Sequence, residues 1–373
     1  MINKRKQRRS NIAIIIPATN EEFVIEATLT ALLVYMSRKD VYVVVNNRSK
    51  DRTYKIAKKL LSAKNVINLG KVGGKATALN TGIKKFKLTK KYDYIMPVDA
   101  DTVPAASFYD NIMEIFYQDK KNRISAVIGK VVGKNSSWIT AYRLWEYELS
   151  QAIYKSAQNI LGTIAVCPGC ATVYRSRVFS NSFFSKDTVT EDMDLTFEIH
   201  RKKLGLIKYC PSATVATQDP GTLKDFVKQI DKWYKGFWQC VLKHNVPWGG
   251  QKFDLEIALL ATEGVFNGLL VISLFFLSPL ILLHNYRFLI YPLLFDFWLF
   301  FMPSLIYVMV KFKEVTLVAY IPLFYFMRVL TGLVFIRSFL KVMMGISKSG
   351  EWNRTRRWQL STERKLWLSP SLD

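Results

Sequence analysis

The chain has 373 residues, of which 53 are Lys or Arg, 29 are Asp or Glu and half are hydrophobic. This composition, with only four cysteines, excludes a collagen, an intrinsically disordered chain and a small disulfide scaffold. A net charge of +24 indicates an anionic partner, either nucleic acid or an anionic membrane. Apolar residues are concentrated in the C-terminal third and basic residues flank them, so we expect a lipid bilayer as the partner and no nucleic acid.

The basic segment 1–10 precedes a short apolar run at 12–16, which ends at Pro17. This run is too short for the apolar core of a signal peptide, and no small-residue cleavage site follows it. The scattered cysteines do not form a disulfide framework. We therefore expect residues 11–220 to form a cytoplasmic domain.

Alternating apolar and helical segments between residues 11 and 220 predict the fold class. Buried strands are predicted at residues 12–16, 41–45, 66–69, 94–98 and 126–132. Helices are predicted between them at residues 22–36, 51–61, 75–86 and 105–119. This order is typical of an α/β domain with a doubly wound, mostly parallel sheet, whose ligands bind at the carboxyl ends of the strands.

Beyond residue 220 the chain becomes aromatic and basic, and then strongly apolar. Residues 221–250 predict an amphipathic helix in the membrane interface, or alternatively a surface helix packed on the α/β domain. In the helical region 251–346, spans are predicted at 264–283 and 288–310, while residues 315–345 either span the membrane or lie in its interface. Asp296 is the one charged residue within the two spans, and it is either functional or paired with Arg287.

The basic tail 347–373 determines the expected topology. Cytoplasmic flanks of membrane proteins are enriched in Lys and Arg, so we expect the tail on the same side of the membrane as residues 11–220. That arrangement requires an even number of crossings. It favours two spans in a multi-pass protein of the plasma (inner) membrane.

Polar loops follow successive predicted strands and line one crevice. Asp99 and Asp101 follow the strand at 94–98, where two carboxylates are well placed to hold a divalent cation against a diphosphate. The glycine-rich loop that ends at Lys75 lacks the spacing of a P-loop. Lys75 can nevertheless approach a phosphate as a point charge.

Two further segments carry candidate chemistry. Glu191 and Asp192 precede a predicted helix, where Asp192 is either a general base that takes a proton from a hydroxyl or part of an ordinary helix cap. Cys167 and Cys170 have the spacing of a redox or zinc motif. No second pair of ligands accompanies them, so we expect a packed turn.

Six segments in this order resemble glycosyltransferase family 2, and more closely its membrane-bound, processive branch. That branch includes the chitin oligosaccharide, hyaluronan, cellulose and poly-N-acetylglucosamine synthases. The matching segments are PATNE at 17–21, VVNNRSKDRT at 44–53, GGKATALN at 73–80, DAD at 99–101, TED at 190–192 and QIDKW at 229–233. The resemblance implies a GT-A catalytic domain over residues 11–220, a UDP-sugar donor and Mg2+ or Mn2+ as cofactor.

The resemblance also implies a role for each matching residue. Binding of the nucleotide falls to Thr19, Glu21, Asn47, Lys75 and Asp99, and binding of the metal to Asp99 and Asp101. Asp192 is implied as the general base, next to Glu191. The acceptor and diphosphate end of the site is implied at Gly169, Cys170, Gln229, Lys232 and Trp233. The segment WNRTR at 352–356 is similar to the family's gating tail, with Arg356 as a pyrophosphate contact.

The sequence departs from the family pattern in two segments that bear on function. Asn46 and Asn47 stand where many relatives carry two aspartates, which weakens the assignment of the nucleotide. Lys232 replaces the usual arginine of the 229–233 segment, and lysine lacks the bidentate geometry of arginine. Processivity is therefore in question. With no span expected before the catalytic domain, a polymer channel would require a partner subunit or a homo-oligomer.

The expected function is that of an inverting, metal-dependent transferase. It would move N-acetylglucosamine or another hexose derivative from a UDP-sugar to a glycan acceptor and form a β-linked product. One alternative is a single addition to a lipid-linked acceptor, such as a polyprenyl phosphate or a sphingolipid. Another is a catalytically silent, nucleotide-sugar-binding subunit of a synthase.

Overall fold

The computed structural model describes residues 11–34, 36–46, 49–70, 73–133, 137–313 and 315–346. The basic segment 1–10, the tail 347–373 and the predicted site residues Asn47 and Arg356 lie outside the described residues. The described part contains one eight-stranded sheet, helices on both of its faces and a group of long C-terminal helices.

The sheet is parallel on one side and mixed on the other. Its strands are β1 (Ile12–Ala18), β2 (Val41–Asn46), β3 (Val66–Leu69), β4 (Tyr94–Pro97), β5 (Val103–Pro104), β6 (Ile124–Val132), β7 (Thr172–Arg175) and β8 (Leu206–Ala216). They are ordered β3-β2-β1-β4-β7-β6-β8-β5. Strands β1 to β4 pair in parallel, as do β6 and β8, whereas β7 runs antiparallel to both β4 and β6. The predicted α/β class is confirmed.

Helices connect the strands and continue beyond the sheet. The catalytic-domain helices are α1 (Ile25–Leu33), α2 (Thr53–Leu60), α3 (Lys75–Lys85), α4 (Leu88–Lys91), α5 (Phe108–Gln118), α6 (Trp138–Leu149), α7 (Ser156–Leu161), α8 (Val178–Asn181) and α9 (Glu191–Arg201). A π-helical segment, Ser150–Lys155, joins α6 to α7. The C-terminal helices are α10 (Leu223–Lys243), α11 (Lys252–Asn285), α12 (Arg287–Asp296), α13 (Met302–Phe312) and α14 (Ile321–Met343).

Burial on both faces of the sheet explains why its strands read as continuous apolar runs. All seven residues of β1 are buried, and their side chains alternate between the two faces. Ile14 belongs to the core that contains Phe108 of α5, while Ile15 belongs to the core that contains Leu79 and Ile83 of α3. Each such fully buried side chain stabilises the fold by roughly 1.5–3 kcal/mol.

Among the described residues, three apolar helical segments are long enough to cross a membrane, namely Lys252–Ser273, Leu293–Phe312 and Val315–Met343. Helix α11 is 34 residues long and contains the predicted span 264–283. Helix α12, a π-helical turn at Phe297–Phe301 and α13 together contain the predicted span 288–310. Asp296 is paired with Arg328 of α14, at 2.7 and 3.0 Å, so the predicted pairing with Arg287 was wrong.

Helix α14 packs along the catalytic domain. Near its start, the ring of Phe324 lies 5.6 Å from that of Tyr142 in α6. Near its end, the ring of Phe339 lies 4.7 Å from that of Trp238 in α10. Both halves of α14 therefore contact helices that belong to, or directly follow, the sheet domain.

Candidate active site

The loops that follow β1 and β2 are tied together at the edge where the parallel strands end. The backbone N–H of Glu21 donates to Thr53 Oγ1 at 2.7 Å, and that of Glu22 donates to Asp51 Oδ2 at 3.0 Å. Thr19 and Glu21 are both buried in this loop. The hydroxyl of Thr19 has no hydrogen-bond partner among the described residues, which leaves a polar atom for a ligand.

Lys75 lies among three of the predicted site residues, namely Asp99, Glu191 and Asp192. Its Nζ lies 2.6 Å from Asp99 Oδ1, after β4, and 3.1 Å from Glu191 Oε1, at the start of α9. Burial alone would lower the pKa of Lys75, but Asp99, Glu191 and Asp192 outweigh it and raise that pKa well above the usual lysine value. Lys75 is therefore a permanent cation in the crevice at the strand ends.

Asp192 lies next to this cation and to the loop that carries Cys167 and Cys170. Its Oδ2 accepts a hydrogen bond of 2.9 Å from the backbone N–H of Gly169. Burial and the neighbouring Glu191 raise the pKa of Asp192, while Lys75, the Gly169 N–H and Lys232 act in the opposite direction. The carboxylate is a stronger base than an ordinary aspartate, and Lys75 and Lys232 favour its ionised form.

Two further details of the structure around Asp192 bear on the predictions. A Cβ at Gly169 would lie 3.1 Å from Lys75 Nζ and 3.4 Å from Asp192 Oδ2, so a side chain there would require Lys75 to shift by a few tenths of an ångström. Thr190, the N-cap residue of α9, makes no side-chain capping bond. In the first turn of the helix, Asp192 Oδ1 accepts a hydrogen bond of 2.9 Å from the backbone N–H of Met193.

The loop between Cys167 and Cys170 is a packed turn. The backbone N–H of Cys167 donates to Thr196 Oγ1 at 2.9 Å, and that of Ala171 donates to Pro168 O at 3.0 Å. Both cysteines are free. Burial raises the pKa of Cys167 to about 12, which keeps the thiol protonated at neutral pH.

Asp99 and Asp101 fit a hard divalent cation. Asp101 is buried and its Oδ2 accepts a bond of 3.4 Å from Thr217, whereas the side chain of Asp99 is 33% exposed to the crevice. Within the described residues, no group of three or more His, Cys, Asp or Glu side chains is arranged to hold a metal. Mg2+ commonly binds through one or two carboxylates together with substrate phosphates, so this oxygen donor set suits it.

Three residues of the predicted acceptor end, Gln229, Lys232 and Trp233, lie on α10, and a residue that the sequence did not single out reaches this helix. Gln229 Oε1 accepts a hydrogen bond of 2.6 Å from Arg143 Nη2 in α6. The same guanidinium lies 4.8 Å from the ring centroid of Trp233. Lys232, on the same helix, lowers the pKa of Asp192 through its positive charge. The only sequence signal for Arg143 is a cationic residue within the aromatic helix at 138–149.

Two other buried ionisable groups were also missed. Burial lowers the pKa of Lys155 to about 8, and the nearby Cys167, Cys170 and Asp192 offset only part of that effect. Burial raises the pKa of Asp219 to about 6, although Arg143 acts in the opposite direction. Both residues lie in helix or loop segments whose sequence carries no recognisable motif.

Comparison with known proteins places the chain in a family. It is 30% identical over 236 residues to a poly-beta-1,6-N-acetyl-D-glucosamine synthase of Staphylococcus aureus, which covers 62% of this chain and 56% of that protein. It is 29% identical over 247 residues to a probable glycosyltransferase of Bacillus subtilis, with the same coverage. The chain thus spans little more than half the length of the curated relatives it matches.

A solved structure matches nearly the whole chain. A mannosyltransferase from Pyrobaculum calidifontis, in complex with GDP-Man and Mn2+, superposes with a TM-score of 0.62 at 15% identity. The match covers 91% of this chain and 89% of that one, so the shared fold includes most of the C-terminal helices. Residues 9–236 match the model of the family described as "Glycosyltransferase like family 2", and the chain belongs to this family.

Proposed function

We propose that the chain transfers a sugar from a UDP-sugar to a hydroxyl of a glycan acceptor, with inversion at the anomeric carbon. The observation that carries this proposal is the partly buried carboxylate of Asp192, held by Gly169 beside the cation Lys75. The relationship to a poly-beta-1,6-N-acetyl-D-glucosamine synthase supports N-acetylglucosamine, or another hexose derivative, as the sugar.

Each residue of the site has its own role in the proposed reaction. Thr19 and Glu21 would line the nucleotide pocket, and Lys75 would lie against the diphosphate. Asp192 takes the proton of the acceptor hydroxyl as its oxygen forms a bond to the anomeric carbon, and the bond from that carbon to UDP breaks. UDP leaves with the electron pair of the broken bond. In an α-linked donor, attack on the face of the anomeric carbon opposite to UDP gives a β-linked product.

A divalent cation would be held by Asp99 and Asp101. Mn2+ or Mg2+ bound there supplies positive charge against the diphosphate as it leaves, an effect worth several kcal/mol in metal-assisted reactions. Binding of Mn2+ together with a nucleotide sugar by the Pyrobaculum mannosyltransferase supports this assignment. Gly169, Cys170, Gln229, Lys232 and Trp233 would form the acceptor and diphosphate end.

We further propose two membrane crossings, with the catalytic domain at the cytoplasmic face of the plasma membrane. The first part of α11 contacts the catalytic domain through Gln158–Glu256, at 2.9 Å, and Tyr154–Glu263, at 2.8 Å. Only the part beyond Glu263 is then available to cross. At the end of α13, Lys311 forms an ion pair with the catalytic-domain residue Glu148. This contact returns the chain to the cytoplasmic side before α14 begins.

The first test is release of the nucleoside diphosphate by the purified full chain, with UDP-sugars and GDP-sugars as donors and Mg2+ or Mn2+ present. We expect one UDP-sugar to be preferred, and Asp192→Asn and Asp101→Asn to lose activity. Asp110→Asn, an exposed carboxylate of α5, is the matched control and should be fully active. Turnover of a GDP-sugar alone would contradict the proposed donor.

Product analysis separates the remaining alternatives. A ladder of glycans supports polymer synthesis, whereas a single sugar on an added polyprenyl phosphate or sphingolipid would identify the lipid as acceptor. Binding of UDP with no turnover of any donor, with both glycan and lipid acceptors supplied, would favour a silent subunit. Each outcome contradicts the other two.

A further inference from the structure

We propose that Arg143 is a positioning residue that holds Gln229 and Trp233 in the geometry needed for sugar transfer. This inference rests on the proposed function, which assigns both α10 residues to the acceptor and diphosphate end of the site. Arg143 lies in α6, 86 positions earlier in the chain than Gln229, and reaches α10 by tertiary packing alone. It would act through its neighbours and not on the substrate, because its side chain is only 1% exposed.

The planar guanidinium group of Arg143 contacts three residues on one face of α10. Arg143 Nη2 donates to Gln229 Oε1 at 2.6 Å, and the guanidinium carbon lies 4.3 Å from the ring centroid of Phe226 and 4.8 Å from that of Trp233. These three residues are spaced at i, i+3 and i+7, so they share one face of the helix. A hydrogen bond and two ring contacts thus fix the amide and indole orientations together.

The charge of this guanidinium is neutralised within α6. Nη1 of Arg143 lies 2.5 Å from Glu146 Oε2, one turn further along the helix. With Nη1 held by Glu146 and Nη2 by Gln229, the group is fixed in one plane. A lysine would keep the charge but lose the planar fork and the stacking, so it would not fix both neighbours.

The decisive experiment is a double-mutant cycle in the full chain, with kcat and donor KM measured for Arg143→Lys, Gln229→Ala and the combination. A displacement of about 1 Å in a site can reduce turnover about 100-fold. We therefore expect Arg143→Lys to reduce kcat roughly 10- to 100-fold, with little change in donor KM. In the Gln229→Ala background the same substitution should reduce kcat by a smaller factor than in the wild-type chain, because the part of its effect that passes through Gln229 is already lost.

A second arginine, Arg175, which is partly buried, provides the matched control. Arg175 of β7 is ion-paired with Asp119 at 3.1 Å and stacked 5.1 Å from Phe116, so it resembles Arg143 without approaching the site. Arg175→Lys should lower thermal stability, leave kcat per folded molecule unchanged and give the same fold-change with and without Gln229→Ala. Should Arg143→Lys fail to fold, Phe226→Leu, which removes one ring contact, is expected to give a smaller loss with the same non-additivity.

Two results would overturn the proposal. One is an unchanged kcat in Arg143→Lys. The other is a loss of kcat in the double variant that equals the product of the two single-variant losses, as is expected for Arg175→Lys combined with Gln229→Ala. In either case the wild-type chain still turns over its donor, so the proposed function survives while this inference fails. Absence of turnover by the wild-type chain with every donor and acceptor would instead reject the function, and the role of Arg143 with it.

Discussion

Asp192 and Asp194 lie two residues apart at the start of α9, and both carboxylates are largely buried, yet their surroundings differ. Burial and then Glu191 raise the pKa of Asp192. Burial acts on Asp194 too, but hydrogen bonds from His244 and Lys243 outweigh it and lower that pKa. Asp192 is thus kept basic at a cost in stability, whereas Asp194 stabilises the fold in its ionised form.

Exchanging each carboxylate for an amide should separate these roles. Asp192→Asn should reduce kcat by about 10²- to 10⁴-fold, the usual contribution of a general base. Its melting temperature should stay equal or rise, because above a raised pKa the ionised carboxylate destabilises the folded state. Asp194→Asn should lower the melting temperature and keep most of the activity per folded molecule. Loss of folding in Asp192→Asn would contradict this assignment.

The pH dependence of activity tests the electrostatic role of Lys232. This cation lowers the pKa of Asp192 against the effect of burial, so Lys232→Gln should raise that pKa. The base is then protonated at higher pH, and the acidic limb of the kcat/KM profile moves upward. Lys232→Arg keeps the charge and should leave the limb in place. If the acidic limb does not move in Lys232→Gln, the ionisation that produces it belongs to a group other than Asp192.

At the scale of elements, local sequence predicts the sheet well and the site only in part. The strands at 12–16 and 41–45 were recognised because burial on both faces gives continuous apolar runs. The convergence of Lys75, Asp99 and Asp192 followed from loops at strand ends. The antiparallel β7 and the contact of Arg143 with Gln229 depend on which distant segments pack together, and no periodicity within either segment encodes that choice.

The crossing of α11 and α14 depends on two glycines that face each other. A Cβ at Gly268 would lie 2.3 Å from Ile336 Cγ1 and 3.0 Å from the carbonyl oxygen of Gly332. A Cβ at Gly332 would find its nearest neighbour at 3.6 Å, an ordinary contact. The helices therefore approach closely on the Gly268 side only.

The same substitution at the two glycines should consequently have opposite effects. Gly268→Ala should lower the melting temperature in detergent, because the added methyl group forces α14 away. Gly332→Ala should be neutral or stabilising, since alanine favours a helix over glycine by about 1 kcal/mol. Equal melting temperatures for both variants would mean that the crossing is looser than the structure describes.

At the scale of the whole molecule, α14 has two different faces. One face packs against α6, α10 and α11, and Arg337 extends from it to Asp231 of α10 at 2.7 Å. The other face exposes large apolar side chains at helical spacing, namely Phe326, Val329, Leu333, Leu340 and Met343. A helix held by the catalytic domain on one side and apolar on the other fits the boundary of a bilayer.

The proposed interfacial placement of α14 would put both of its ends on the cytoplasmic side, and cysteine labelling of intact cells tests this topology. Asn285→Cys, at the end of α11, should react with a membrane-impermeant thiol reagent added outside. Lys313→Cys and Ile346→Cys, which flank α14, should react only after permeabilisation. The wild-type chain is the control, because its cysteines at 167, 170, 210 and 240 all belong to the sheet domain or α10. Labelling of Ile346→Cys in intact cells would instead require three crossings and place α14 across the membrane.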